Sequence, residues 1–175
     1  ADLFYKKGAD PADKYSYLKT VIMVGLIMGL HAVYVLVVEG IQYDPSYLIK
    51  YLPVSFFYIV SMAVGYAGLR FLELSVSSPV QNSSGAIAGL LTFIFLGQRM
   101  TSIQLWAIVL ITVGVVLLGV FEHELAEKER LENKEVIDRK YKYGALALLF
   151  PLLYALLDSL GTFADAWFFD YYASV

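Results

Sequence analysis

The chain has 175 residues, 59% of them hydrophobic and 17% charged, with no cysteine and a formal net charge of −3. Its 13 Lys and Arg and 16 Asp and Glu fall short of the roughly 25% charged content of an average soluble protein. The slight acidity and the lack of an isolated cationic face exclude a nucleic-acid binder, and zero cysteines exclude disulfides, thiolate metal sites and thiol chemistry.

The placement of the charges matters more than their number. Between Glu73 and Arg99 lie 25 residues without Asp, Glu, Lys or Arg, and between Arg99 and Glu122 lie 22 more. Residues 20–38 and 51–69 are equally free of charge. Uncharged apolar runs of about 18 or more read as helices that span a bilayer. The chain is therefore expected to be all-α, a polytopic transmembrane helix bundle with the lipid bilayer as its solvent. Its opening on Ala, without Met or a secretory signal pattern, reads as a piece of a longer protein.

In chain order, spans are predicted at about 17–39, 51–72, 78–97, 101–121 and 143–169. In the first span, His31 is either a neutral imidazole bonded to a neighbouring helix or a proton-linked or substrate contact. Gly25 and Gly29 form a small-xxx-small pair that lets helices approach closely, as do Gly85 and Gly89 in the third span. The start of that third span is rich in uncharged polar groups around Pro79, which is well placed in a first turn. Gln81 and Asn82 are the stronger candidates there for a polar cavity wall, because amides are costly to leave unpaired in lipid.

Residues 122–142 carry 13 of the 29 charges, with Glu124–Lys128, Glu135–Arg139 and Asp138–Lys142 spaced as helical pairs. This segment reads as a solvated, helix-prone linker. Five consecutive spans place the N-terminal segment, the turn after the second span and this linker on one side. That side holds 11 of the 13 Lys and Arg, leaving only Lys50 and Arg99 opposite, which assigns it to the cytoplasm.

The last span contains two acids where an ionisable group costs about 2.5–3.5 kcal/mol. Asp158 and Asp165 stand two turns apart on one face, with Thr162 between them. Asp158 falls within the hydrocarbon, where retaining an acid favours a functional reading, with either a proton or a substrate amine as its partner. Asp165 nears the far interface marked by Trp167, Phe168, Phe169, Tyr171 and Tyr172, and reads equally as an interfacial acid or as a functional one. Residues 1–5 and 164–168 share Ala-Asp followed by aromatics at the last two places, five crossings apart, as inverted repeats would place them. No ligand cluster, phosphate-binding loop or nucleophile beside a base is present, so neither an enzyme nor a cofactor or metal is expected.

Leu74-Ser75-Val76-Ser77-Ser78-Pro79, Phe95-Leu96-Gly97-Gln98-Arg99-Met100-Thr101 and Ile111-Thr112-Val113-Gly114-Val115-Val116-Leu117-Leu118 carry a family resemblance. They resemble the EamA-like transporters of the drug/metabolite transporter superfamily: a proline entering one helix, a Leu-Gly-Glu-Arg-like turn, then a glycine-containing apolar helix. Gln98 stands where that family usually has Glu. The resemblance implies a ten-helix inverted-repeat carrier of the cell membrane. Residues 1–121 would be its first repeat with a truncated first helix, 122–142 the linker, and 143–175 the first helix of the second repeat. It also implies that the linker lies outside, against the charge count, which we follow here. The implied function is secondary transport of a small metabolite, amino acid or drug-like solute by alternating access; whether it is exchanged against protons stays open, with Asp158 the residue that would carry the coupling. The partners are a small-molecule solute and the missing remainder of the chain or a second copy. The competing readings are a small multidrug-type dimerising unit and a membrane scaffold without flux.

Overall fold

A computed structural model describes residues 2–10, 12–41, 43–72, 74–132 and 144–173. Among them every regular element is an α-helix: α1 (Asp2–Gly8), α2 (Ser16–Val38), α3 (Ser46–Gly68), α4 (Leu74–Asn82), α5 (Ser84–Phe95), α6 (Ser102–Glu132), α7 (Gly144–Ala147) and α8 (Leu149–Ala173). Three helices, α2, α3 and α8, are long and apolar enough to cross a membrane, and α6 adds a shorter apolar stretch at Ser102–Leu118.

The helix boundaries follow local chemistry. The Asp44 carboxylate accepts hydrogen bonds from the Ser46 N–H at 2.9 Å and the Ser46 hydroxyl at 2.8 Å, so α3 starts before the expected residue 51. The exposed Asp44 carboxyl is held below the ordinary carboxylate range by these same bonds, the backbone one first. At the start of α6, Thr101 and Gln104 form a reciprocal capping box. The Thr101 N–H donates to the Gln104 side-chain carbonyl at 2.8 Å, and the Gln104 N–H donates to the Thr101 hydroxyl at 3.4 Å. Two helices end on left-handed glycines. Gly40 (φ 62°) follows α2, with the Ile41 N–H returning to the Leu36 carbonyl at 3.2 Å. Gly97 (φ 65°) turns the chain between α5 and α6 within the Leu-Gly-Gln-Arg stretch.

The predicted continuous span at 78–97 differs from the structure, which divides that stretch at Ser83 into α4 and α5. Pro79 supplies no amide hydrogen to the preceding turn. The Ser83 hydroxyl then bonds the Val80 carbonyl at 2.7 Å and its N–H the same oxygen at 3.2 Å, tightening one turn. The last predicted span is likewise interrupted at Leu148, where Pro151 removes the bond that would tie α8 back to Ala147. The predicted linker is helical as far as Glu132, because α6 continues through its first half. The pairs Glu135–Arg139 and Asp138–Lys142 lie outside the described residues.

The exterior of the bundle is apolar, unlike that of a protein folded in water, while small hydroxyl residues join the apolar ones inside. Ser61 on α3, Ser77 on α4 and Ser159 on α8 are wholly buried, whereas Ile103, Trp106 and Leu110 of α6 are 82%, 73% and 74% exposed. Small residues inside let backbones approach, and large apolar side chains outside match hydrocarbon. The Ser61 and Ser159 hydroxyls bond backbone carbonyls of their own helices, those of Tyr58 and Ala155 respectively.

Helix α8 is the hub, packed against α3 on one side and α4 and α5 on the other. It runs antiparallel to α3, since Gly65 faces Tyr154, Gly68 faces Phe150 and Gly161 faces Tyr58. A Cβ added at Gly65 would lie 2.4 Å from the Tyr154 ring, and one at Gly68 would lie 2.5 Å from the Phe150 Cβ. These glycines set the α3–α8 approach. At the predicted pair Gly25 and Gly29, and at Gly85, nothing lies within 4 Å of an added Cβ, while Gly89 approaches the Met100 methyl at 3.1 Å. Within this chain only Gly89 of the four has a neighbour that close, and the apolar stretch of α2 is not buried.

One end of the bundle gathers cations on helix termini. The Lys6 ammonium donates to the Leu69 carbonyl and, at 2.5 Å, to the Leu72 carbonyl just past the end of α3, where the helix dipole favours positive charge. Arg70 donates to the Lys14 carbonyl at 3.1 Å. Beneath them Ala9, Tyr66 and Leu69 form a small core, with Tyr5 packed on Tyr66 at 4.8 Å between ring centroids.

Candidate polar path between two spanning helices

Tyr51 and Tyr58 are seven residues apart on α3, and Asp158 and Asp165 are seven apart on α8. Seven residues are about two turns, so each pair shares one face of its helix. The antiparallel packing brings the two faces together. The Tyr51 hydroxyl donates to an Asp165 carboxylate oxygen at 2.5 Å. The Tyr58 hydroxyl donates to the Thr162 hydroxyl at 3.2 Å, and Thr162 donates onward to the Asp158 backbone carbonyl at 2.9 Å.

The result is a polar stripe along an otherwise apolar interface, with Asp165, Thr162 and Asp158 all half-buried. Each partner makes the other affordable in lipid, because a buried hydroxyl or carboxylate without a hydrogen bond is costly there. Chemically, the stripe offers a carboxylate at one end already engaged by a phenol, a donor relay through two hydroxyls in the middle, and a second carboxylate on the same face.

The stripe thus contains three of the predicted site residues, Asp158, Thr162 and Asp165. Gln81 lies close by: its amide donates to the Ser77 hydroxyl at 3.0 Å and reaches the Gly65 carbonyl of α3 at 3.5 Å. That makes it a link between α4 and α3 on the inner side of the bundle. Asn82 is exposed and bonds the Ser78 hydroxyl at 3.1 Å, one turn back on its own helix. His31 is exposed on the outer part of α2 and is not brought to the stripe. Tyr51 escaped the sequence reading. The signal was the match between its seven-residue spacing from Tyr58 and the spacing of the two acids.

At the Tyr51 end, the stripe opens between aromatic rings. Phe168 meets Tyr51 edge-on at 5.2 Å and Tyr172 at 4.5 Å, while Trp167 stacks on Tyr171 at 5.5 Å. Trp, Tyr and Phe gathered near the ends of apolar helices are the composition typical of membrane–water interfaces.

Comparison with known proteins gives one family. The model of the EamA-like transporter family matches residues 3–120, two thirds of the chain. The tyrosine side of the stripe lies inside the matched stretch and the acidic side beyond it. No curated protein and no solved structure matches the chain.

Proposed function

Because the chain belongs to the EamA-like transporter family, we propose that its α3–α8 stripe is the path of a small solute through a secondary membrane transporter. The observation that carries this reading is the pairing of Tyr51 with Asp165 and of Tyr58 with Thr162 inside an interface built of apolar spanning helices. Carboxylates retained in such a place are expensive and serve a task, by default a solute or proton site.

The mechanism is alternating access. The solute, a small metabolite, amino acid or drug-like molecule, enters at the Tyr51 end and is held between α3 and α8 near the midplane. Asp165 is oriented by the Tyr51 phenol, which fixes one carboxylate oxygen and leaves the other for a solute donor. Asp158 lies deeper and exchanges a proton, so that its charge is present in one facing state and absent in the other. The Thr162–Tyr58 relay supplies a donor and an acceptor between the two acids. The full carrier is a ten-helix, multi-pass protein of the cell membrane. Its basic N-terminal end and linker face the cytoplasm.

Reconstitution into proteoliposomes with an imposed pH gradient tests this. Solute flux is expected to follow the gradient in the wild type and to lose that dependence in Asp158→Asn. Unchanged flux and unchanged pH dependence in the variant defeat the coupling role. An inert wild type under every gradient and solute tried favours the scaffold reading instead.

A further inference from the structure

Where the stripe meets the surface, six aromatic side chains, with Leu48 and Ser55, line an open cavity of about 490 Å³: Tyr43, Tyr47 and Tyr51 on one side and Phe168, Phe169 and Tyr172 on the other. That volume is in the range of small-molecule sites. Two of these rings already hold a cation. The Lys50 ammonium lies 5.1 Å from the Tyr47 ring centroid and 5.2 Å from that of Tyr172, so one charge is shared by rings from α3 and α8. The face of an aromatic ring is the negative end of its quadrupole and attracts a cation within about 6 Å. Behind the wall, one hydrogen bond away through the Tyr51 phenol, sits the Asp165 carboxylate. An interfacial girdle alone accounts for aromatic rings and a snorkelling lysine. It does not account for a lysine drawn onto rings of two helices at once beside an open cavity, with a carboxylate placed behind them.

We propose that this cavity binds a small organic cation, an alkyl- or arylammonium, and that Lys50 is its tethered competitor, occupying the Tyr47–Tyr172 site until the ligand displaces it. As a substrate site it rests on the transport reading above; as a binding site it does not. The ligand exchanges one ammonium for another on the same rings, and the released Lys50 side chain returns to water at the mouth. A ligand without charge gains only the apolar contact and leaves Lys50 in place.

The test is equilibrium binding to the chain in lipid nanodiscs, followed by saturation-transfer NMR of the ligand. The probes are phenyltrimethylammonium and its neutral isostere tert-butylbenzene. The cation is expected to bind about 10-fold tighter than the isostere, within the span of cation–π energies. Lys50→Met removes the competitor and is expected to tighten cation binding by about 3- to 10-fold while leaving the isostere unchanged. Tyr172→Leu is expected to weaken it by about 5-fold, whereas Tyr172→Phe, which keeps the ring and reports on folding, retains it. Equal binding of the two probes overturns the proposal, as does a Lys50→Met variant whose cation affinity is unchanged or lower. Cation binding in this pattern with no flux from the wild type removes the transport reading and leaves the site standing. Flux without cation binding does the reverse.

Discussion

The Tyr51 phenol on α3 and the Asp165 carboxylate on α8, 114 residues apart in sequence, share a hydrogen bond inside the bundle. If that bond helps to hold the two helices together, its loss must appear as coupling and not as two independent losses. Tyr51→Phe, Asp165→Ala and the double variant therefore form a thermodynamic cycle. We expect a coupling energy of about 0.5–2 kcal/mol from unfolding in detergent, the range of interhelical bonds in membrane proteins. Additive single effects would mean that the two groups do not meet.

The close approach of α3 and α8 gives a second prediction, with an order to it. Gly68→Ala puts a methyl against the Phe150 Cβ, an atom fixed to the backbone, and only movement of the helix relieves the clash. Gly65→Ala meets the Tyr154 ring, which can rotate aside. Overpacking costs about 1–3 kcal/mol, and we expect Gly68→Ala near the upper part of that range and Gly65→Ala below it. Gly25→Ala, facing open space, is expected to leave the stability of the isolated chain unchanged. Thermal melts of the three variants check the order.

The turn that leads into α3 gives a pH dependence whose sign is fixed. The folded Asp44 carboxyl is held below its ordinary value by bonds from Ser46. A group whose pKa is depressed by folding adds stability above its unfolded pKa, and that stability is lost as pH falls through the folded value. The chain is therefore expected to lose part of its stability on acidification below the ordinary carboxylate range. Asp44→Asn is expected to flatten that part of the profile, because the amide still accepts the Ser46 N–H but does not titrate. Melting temperature against pH for both proteins measures it, and identical profiles would refute it.

His31 supplies a negative control. It is exposed on the outer face of α2, away from the stripe. Substitution of a surface position away from caps, networks and cores shifts stability by no more than about 0.5 kcal/mol. His31→Phe is expected to fall within that limit and to preserve both flux and its pH dependence in proteoliposomes. A loss of pH dependence in this variant would move the proton site from α8 to α2.

Much of the fold was legible because lipid enforces a simple rule: charge-free runs become helices. The runs at 20–38 and 51–69 correspond to α2 and α3, and the acids Asp158 and Asp165 stood out against an apolar background. Helix pairing was less legible. Gly25 and Gly29 have the same spacing that signals close packing elsewhere, but spacing alone does not say which helix is opposite. Gly65 and Gly68 had no such pattern, being three apart, and their role depends on Phe150 and Tyr154 arriving from the far end of the chain. The break at Ser83 was missed because each of its causes is mild: a proline tolerable in a first turn, followed by a serine that bonds backward.

The antiparallel pairing of α3 with α8 also sets a timetable for assembly. The phenol of Tyr51 is synthesised 114 residues before the carboxylate that accepts its hydrogen bond. At about 5–20 residues per second of translation, that is a wait of roughly 6–20 s. Throughout it, α3 sits in the bilayer with its tyrosine face and glycine notch uncovered. Helix α8, on which α3, α4 and α5 close, leaves the ribosome after them, so a chain stopped before residue 144 would present an unfinished seam to quality control.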